Sequence, residues 1–350
     1  RIAKIASKLV PFMAVIYFGG ALVVVIENYQ NIIPSFHSIF SQVFSGSAAA
    51  GGFLGASFAM SLKLGVARGL YSNEAGQGSS PIAHASAKTK HSVEQGMVSI
   101  LEPFIDTIVV CSVTALVILS SGAWTQKYEN TFERSSMAIF AGDYTESNSS
   151  DVEELGKYIL DARKFTSNTT TVKNFSGNLN VINGELQQDG ITIFHNNSIA
   201  EDVTFYKDGE YFDGSLEVSD GDLKDSSIKV EGKSLIHSAE LTSKAFASGV
   251  LGKIGEYIVA IGLLLFAFST AIAWSYYGDR STAYIFGENA VPWYRIIYVV
   301  SFIAAAVIDT TIVWNIAYVV VALVTIPNLF ALFILRKEMK EQVTNYVIEK

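Results

Sequence analysis

Gly65-Val-Ala-Arg68-Gly-Leu-Tyr-Ser-Asn73-Glu74-Ala-Gly76-Gln-Gly78-Ser-Ser-Pro81 is a polar, glycine-punctuated loop between two hydrophobic segments long enough to approach or cross a membrane. Those flanks decide the fold class. Half of the 350 residues are hydrophobic, mean hydropathy is positive and the apolar residues are gathered in blocks, the composition of an integral membrane protein. Crossing the hydrocarbon core takes about 20 apolar residues, and five or six spans can be placed. Leu9 to Ile26 is nearly uninterrupted, with Pro11 in its first turn, where a missing N–H does no harm. Ile32 to Leu64 is broken by Ser45-Gly-Ser-Ala-Ala-Ala-Gly51-Gly52-Phe53-Leu-Gly55-Ala-Ser57 and reads as two half-helices joined by small residues. Met97 to Leu119 contains Asp106 and Thr107, Ile254 to Tyr277 follows, and Arg295 to Leu335 is long enough for two spans parted near Asp309.

Between residues 124 and 249 the character changes to a soluble insertion. Turn signals such as Asn183-Gly184, Asp189-Gly190, Asp208-Gly209 and Asp213-Gly214 separate short β-branched runs from Lys173 to Lys233, which predicts a small antiparallel β module. Its flanks, Asp151 to Phe165 and Ser238 to Phe246, read as helix. The segment from Trp124 to Ala247 carries 21 acidic against 11 basic residues, so the net charge of −8 belongs to the insertion. Lys and Arg in short loops are retained on the inner side of a membrane. Arg1, Lys4 and Lys8, then Lys63, Arg68, Lys88 and Lys90, then Arg280 and Arg295, then Arg336, Lys337 and Lys340 all fall on one face when spans are counted alternately. That face is expected to be cytoplasmic, with the insertion on the outer side of a bacterial or archaeal inner membrane. The chain opens at Arg1 without a leader, and the expectation is a piece of a longer polypeptide.

The loop, followed by Ala83-His84-Ala85, Gln95-Gly96 and Phe104-Ile-Asp106-Thr107, resembles the alanine or glycine:cation symporter family. Ala267-Phe-Ser269-Thr270-Ala-Ile-Ala-Trp274-Ser-Tyr-Tyr-Gly278-Asp279-Arg280, Val313-Trp314-Asn315 and Ile326-Pro327-Asn328-Leu329 extend the resemblance, which covers roughly residues 1–123 and 250–338. Family members commonly have a short loop where the insertion stands, and an acidic residue where Tyr318 stands. The resemblance implies an all-α polytopic membrane protein of the leucine-transporter-type inverted-repeat fold. This chain would supply its second half: core helix 5, broken helix 6 and helix 7 in residues 1–123, and helices 8–10 in 250–338. A cytoplasmic tail would occupy 339–350, and the first half would lie upstream.

Unwound backbone in lipid leaves N–H and C=O groups that cost several kcal/mol each, so it survives only where it lines a protected cavity. The freed groups can then hold a carboxylate, an ammonium or Na⁺. Gly51, Gly52 and Gly55 allow close approach and Phe53 could supply an aromatic wall; the alternative is a small-residue stripe for helix packing. Ser269 and Thr270 offer hydroxyl oxygens suited to Na⁺, and Thr270 and Trp274 share a helical face. The resemblance implies a cation site at Ser269 and Thr270, with Trp274 facing the substrate; the alternative is a hydroxyl bonded to the carbonyl one turn earlier. Arg68, Asn73 and Glu74 are candidates for a gate of exchanging salt bridges. Asp106 and Thr107 are buried polar candidates, for a cation, a base or a structural hydrogen bond, and Asp309 is read as a helix cap.

The implied activity is Na⁺-coupled symport of a small neutral amino acid, alanine or glycine, into the cell by alternating access. No covalent chemistry, cofactor, metal centre or nucleic-acid partner is expected, with Na⁺ as coupling ion and the bilayer as partner. The histidines lack ligand spacing and no nucleophile–base or HExxH-type motif is present, so an enzyme is not expected. The alternative is a membrane-anchored surface protein whose acidic outer module binds a ligand or partner.

Overall fold

The structure, a computed structural model, describes residues 2–45, 49–50, 53–54, 58–74, 76–162, 170–308 and 310–349. Helix α1 (Ile2–Glu27) starts earlier than the apolar pattern suggests, so Pro11 lies inside it and not in its first turn. The missing N–H leaves the Ser7 carbonyl without its helical donor. Helix α2 (Ile32–Ser45) and helix α3 (Phe58–Ser72) stand where two half-helices are expected, but α3 runs on past Leu64, so that residues 65–72, read from their glycines as loop, are helix and the loop begins only at Asn73. Between them the chain forms a hairpin of β1 (Ala49–Ala50) and β2 (Phe53–Leu54), paired Ala49↔Leu54 and Ala50↔Phe53. The small-residue run predicts only an unwound link, and the ladder is an addition to it. In sequence, Gly51 and Gly52 stand between the two strands. Those two glycines and Gly55 lie outside the described residues, as does Asp309.

Short helices α4 (Ser80–His84), α5 (Ser92–Ser99) and α6 (Leu101–Pro103) lead into a π-helical segment, Phe104–Val110, and then α7 (Cys111–Ser121). Pro103 at that junction withholds one helical N–H, a known cause of local rewinding. After the insertion come α10 (Lys253–Phe286), α11 (Val291–Val307) and α12 (Thr310–Glu349). The 339–349 stretch is therefore helix, continuous with the last span. Five helices among the described residues are long and apolar enough to cross a membrane: Leu9–Glu27, Ser92–Ser121, Lys253–Phe286, Glu288–Val307 and Ile312–Ile348. At 14 and 15 residues, α2 and α3 would each rise only about 22 Å, short of the hydrocarbon core.

The chain divides into two compact units: Arg1–Phe18 with Gly65–Val113 and Ala260–Lys350, and Gly19–Leu64 with Thr114–Val259. In the first, α10 and α11 are tied by an Arg295–Asp279 ion pair of 2.7 Å and by the Tyr298 hydroxyl donating to the Ala271 carbonyl at 2.8 Å. In the second, the Glu27 carboxylate accepts from the Val250 N–H at 3.0 Å. Asn31 Nδ2 there donates to the Ser120 carbonyl at 2.8 Å.

The insertion corrects any all-α description. Strands β3 (Tyr128–Thr131) and β4 (Met137–Ala141), helix α8 (Ser149–Ala162) and strands β5 (Lys173–Asn174) and β6 (Gly177–Ile182) open it. The strands continue as β7 (Glu185–Leu186), β8 (Ile191–His195), β9 (Ser198–Ile199), β10 (Glu201–Lys207) and β11 (Glu210–Tyr211). Then β12 (Gly214–Ser219), β13 (Asp222–Leu223), β14 (Ile228–Ser234) and helix α9 (Ser238–Ala247) close it. Three four-stranded antiparallel sheets result, ordered β11-β10-β14-β3, β13-β12-β6-β7 and β5-β4-β8-β9. Four hairpins turn on residue pairs with positive φ, Asn183-Gly184, Asn196-Asn197, Asp208-Gly209 and Asp220-Gly221, the geometry that matches strand twist. Asp189-Gly190 and Asp213-Gly214 instead link one hairpin to the next, because no paired register closes across them.

Alternation along β6, β12 and β14 sends Leu179, Val181, Leu216, Val218, Ile228 and Val230 into one core with Phe205, while Phe140 and Phe194 face away to meet Leu155 and Ile159 of α8. His195 is buried at 1% exposure. It stacks on Phe132 at 4.3 Å, its Nε2 accepts from the Glu133 N–H and its Nδ1 meets Ser234 Oγ at 2.7 Å. Burial, with His237 nearby, lowers its pKa to about 4. Above pH 6.5 both folded and unfolded forms are neutral and nothing is lost; below it the unfolded chain takes up a proton that the folded one refuses. The module is expected to lose stability between pH 6.5 and about 4, by up to about 3 kcal/mol. Amide exchange of β8 and β14 checks this, and His195→Gln should flatten the dependence.

Candidate functional site: a polar knot after the broken helix

Helix α3 ends because its last residues meet a run that cannot continue as helix. Glu74, Gly76 and Gly78 all take positive φ, +49°, +74° and +78°, the left-handed region open to glycine and costly for most other residues. The exposed carbonyls at the helix end find side-chain donors: Asn73 Nδ2 reaches the Gly69 carbonyl at 2.9 Å, and Gln77 Nε2 reaches that of Leu70 at 3.4 Å. Ser79, 7% exposed, donates its hydroxyl to the Glu74 carboxylate, which offsets the strain at Glu74. Pro81 then sits in the first turn of α4, where its missing N–H is harmless.

Two other elements close the knot. From the π-helical segment, Asp106 accepts the Ser72 hydroxyl and Thr107 Oγ1 accepts from Asn73 Nδ2 at 2.6 Å. Single π-turns of this kind commonly mark functional positions. From α12, just after Pro327, Asn328 Nδ2 donates to the Gly76 carbonyl at 2.8 Å. A Cβ on Gly78 would stand 2.8 Å from Asn328 Oδ1, so a side chain there would have to push Asn328 aside. Behind α3, the Arg68 guanidinium lies 4.3 Å over the Trp314 ring. Trp314 also packs against Tyr71 at 5.5 Å and stacks with Tyr318 at 5.9 Å.

The expected gate residues therefore lie together, yet not as exchanging salt bridges. Among the described residues no ion pair joins Arg68, Glu74 and Asp106: the base is held by an aromatic face, and each carboxylate accepts a serine hydroxyl. Tyr318, standing where an acid is usual, extends that aromatic cluster, so a cation–π contact holds Arg68. His84 accepts from Gln95 at 2.7 Å and faces Glu102 at 3.3 Å. Sequence reasoning gave no role to Ser72, Gln77, Ser79 or Asn328. The readable signal for Asn328 was an amide directly after a proline inside an apolar run.

Of the other expected residues, Ser269 in α10 is half-buried and donates to the Phe266 carbonyl at 2.9 Å. That back-bond uses its proton and leaves the oxygen lone pairs able to face a cation. Thr270 is exposed; Trp274 is 38% exposed and packs edge-on against Tyr277 at 5.8 Å. Phe53 lies in strand β2.

A profile of the Sodium:alanine symporter family matches residues 1–150 and 226–350, which passes over 151–225 of the β-rich insertion. Sodium/alanine symporter AgcS of Methanococcus maripaludis is 30% identical over 95% of this chain and 49% of its own length. An uncharacterized transporter of Haemophilus influenzae is 29% identical over 99% of this chain and 52% of its own. The probable sodium/glutamine symporter GlnT of Bacillus subtilis is 43% identical over 35% of this chain and 25% of its own. The chain spans about half the length of the longest-matched of these relatives.

Proposed function

The chain belongs to the sodium:alanine symporter family, and from that premise we propose that it forms part of a secondary transporter coupling Na⁺ entry to uptake of a small neutral amino acid, alanine or glycine. The observation that carries this reading is the interruption between α2 and α3 in the part of the chain that, outside the β-rich insertion, is built of long apolar helices. Irregular backbone is tolerated at membrane depth only where protein or a water-filled cavity shields it. We assign substrate contact to Gly51, Gly52, Phe53, Gly55, Thr270 and Trp274, and Na⁺ contact to Ser269 and Thr270. The polar knot at Arg68 to Ser79 acts as the gate, with Asp106 and Thr107 of the π-segment holding it closed. The part of α3 with Lys63 and Arg68, and the stretch after α4 with Lys88 and Lys90, face the cytoplasm in a prokaryotic inner membrane, and the β module faces outward.

Alternating access needs no chemical step. One Na⁺ moving down 100 mV supplies about 2.3 kcal/mol, and a tenfold gradient adds about 1.4 kcal/mol, enough for several-hundredfold accumulation. Membranes holding the complete gene product should therefore give an inward current on an alanine pulse in Na⁺, and none when K⁺ replaces it. An equal current in K⁺ would overturn the coupling assignment. The names of the relatives include alanine and glutamine as cargo, so the same assay run with glycine, alanine and glutamine ranks the substrates.

A further inference from the structure

Two buried side-chain oxygens in the knot have no hydrogen-bond partner among the described residues: Asn73 Oδ1 and Gln77 Oε1. Gln77 is 7% exposed, and an orphaned buried acceptor costs about 1–3 kcal/mol. Neither amide can relieve this by flipping. Their nitrogens already face the Gly69 and Leu70 carbonyls, and a flip would set oxygen against oxygen.

Two carboxylates and a helix C-terminus lie beside the residues that carry these oxygens. The carbonyl end of α3 closes at Ser72, the pole of a helix that favours cations. The Asp106 carboxylate bonds Ser72, next to Asn73. Glu74 is tied to Ser79, and the guanidinium of the neighbouring base, Arg68, lies over the Trp314 ring without an ion pair to either carboxylate among the described residues. We propose that the knot binds a monovalent alkali cation, Na⁺ in a sodium-rich medium, through Asn73 Oδ1, Gln77 Oε1 and the Asp106 carboxylate. Hard oxygen donors suit such an ion. A divalent ion draws on several carboxylates, whereas no cluster of three Asp, Glu, His or Cys occurs among the described residues. This site is additional to the one at Ser269 and Thr270. Occupied, it holds α3, the π-segment and the loop together; empty, it leaves two acceptors unsatisfied and the knot easier to open.

The test is equilibrium binding of ²²Na⁺ to the complete gene product in nanodiscs, with N-methylglucamine keeping ionic strength constant. Asp106→Asn keeps an acceptor for Ser72 but removes the charge, and Gln77→Glu adds one. Asp106→Asn is expected to weaken the knot component at least tenfold without lowering the melting temperature measured in N-methylglucamine. Gln77→Glu is expected to tighten it about fivefold. Thr270→Ala should leave that component in place, which separates this site from the transport ion. Unchanged ²²Na⁺ binding in both Asp106→Asn and Gln77→Glu overturns the proposal. So does displacement of the knot-bound Na⁺ by micromolar Ca²⁺, which would make the site divalent.

Discussion

Gly78→Val is expected to reduce alanine uptake below a tenth of the wild-type rate per molecule in the membrane. At φ +78° a β-branched residue is strained by about 1–3 kcal/mol. Its Cβ would also stand 2.8 Å from Asn328 Oδ1 and 3.0 Å from Cγ, forcing out the side chain that bonds the Gly76 carbonyl. The lost hydrogen bond adds about 1 kcal/mol. Each 1.4 kcal/mol is a factor of ten in population, so the closed knot falls by more than a decade. Gly69→Ala is the control: nothing stands within 4 Å of its Cβ, the position is helical, and uptake should stay near wild type.

Phe205→Ala is expected to destabilise the β module by about 3–5 kcal/mol, the usual cost of emptying a fully buried aromatic site. Phe205 is 0% exposed, in a core that draws side chains from β4, β6, β8, β10, β12 and β14. Pulse proteolysis of the reconstituted protein reads this directly, and Ile182→Ala, at 61% exposure, should fall within about 0.5 kcal/mol of wild type. Uptake by Phe205→Ala should remain above half, because the family match does not include residues 151–225. Loss of uptake would instead place the module within the transport cycle. Tyr128 and Ser234 are register partners, so excising the strands between them with a short linker gives an independent check. If the excised protein keeps Na⁺-dependent uptake, the alternative of a surface-binding protein with a degenerate core is excluded.

The spans were legible because length and hydropathy alone specify them: α10, α11 and α12 fall where apolar runs of that length occur. The interruption between α2 and α3 was legible from Gly51, Gly52 and Gly55, though the hairpin pairing of Ala49 with Leu54 was not, since a two-residue ladder has no periodicity to read. In the module, Asn183-Gly184 and Asp208-Gly209 announced hairpins. Asn196-Asn197 and Asp220-Gly221 turn in the same way. The knot was the least legible part. Its residues come from three separated stretches, around Asn73, Asp106 and Asn328, and only tertiary folding shows that Asn73 reaches Thr107 and Asn328 reaches Gly76. Charge pattern suggested salt bridges for Arg68 and Glu74, but an aromatic face and a serine hydroxyl took their place.

Sodium-coupled symport is tested most directly by labelled alanine uptake into sealed proteoliposomes of the complete gene product, with an inward Na⁺ gradient and an inside-negative potential set by a K⁺ diffusion gradient. Alanine should accumulate against its gradient, fall about tenfold when a tenfold Na⁺ gradient is equalised at constant potential, and collapse when the potential is dissipated as well. Accumulation that persists with Na⁺ absent from both sides, or equilibration without accumulation under the full gradient, would contradict the account.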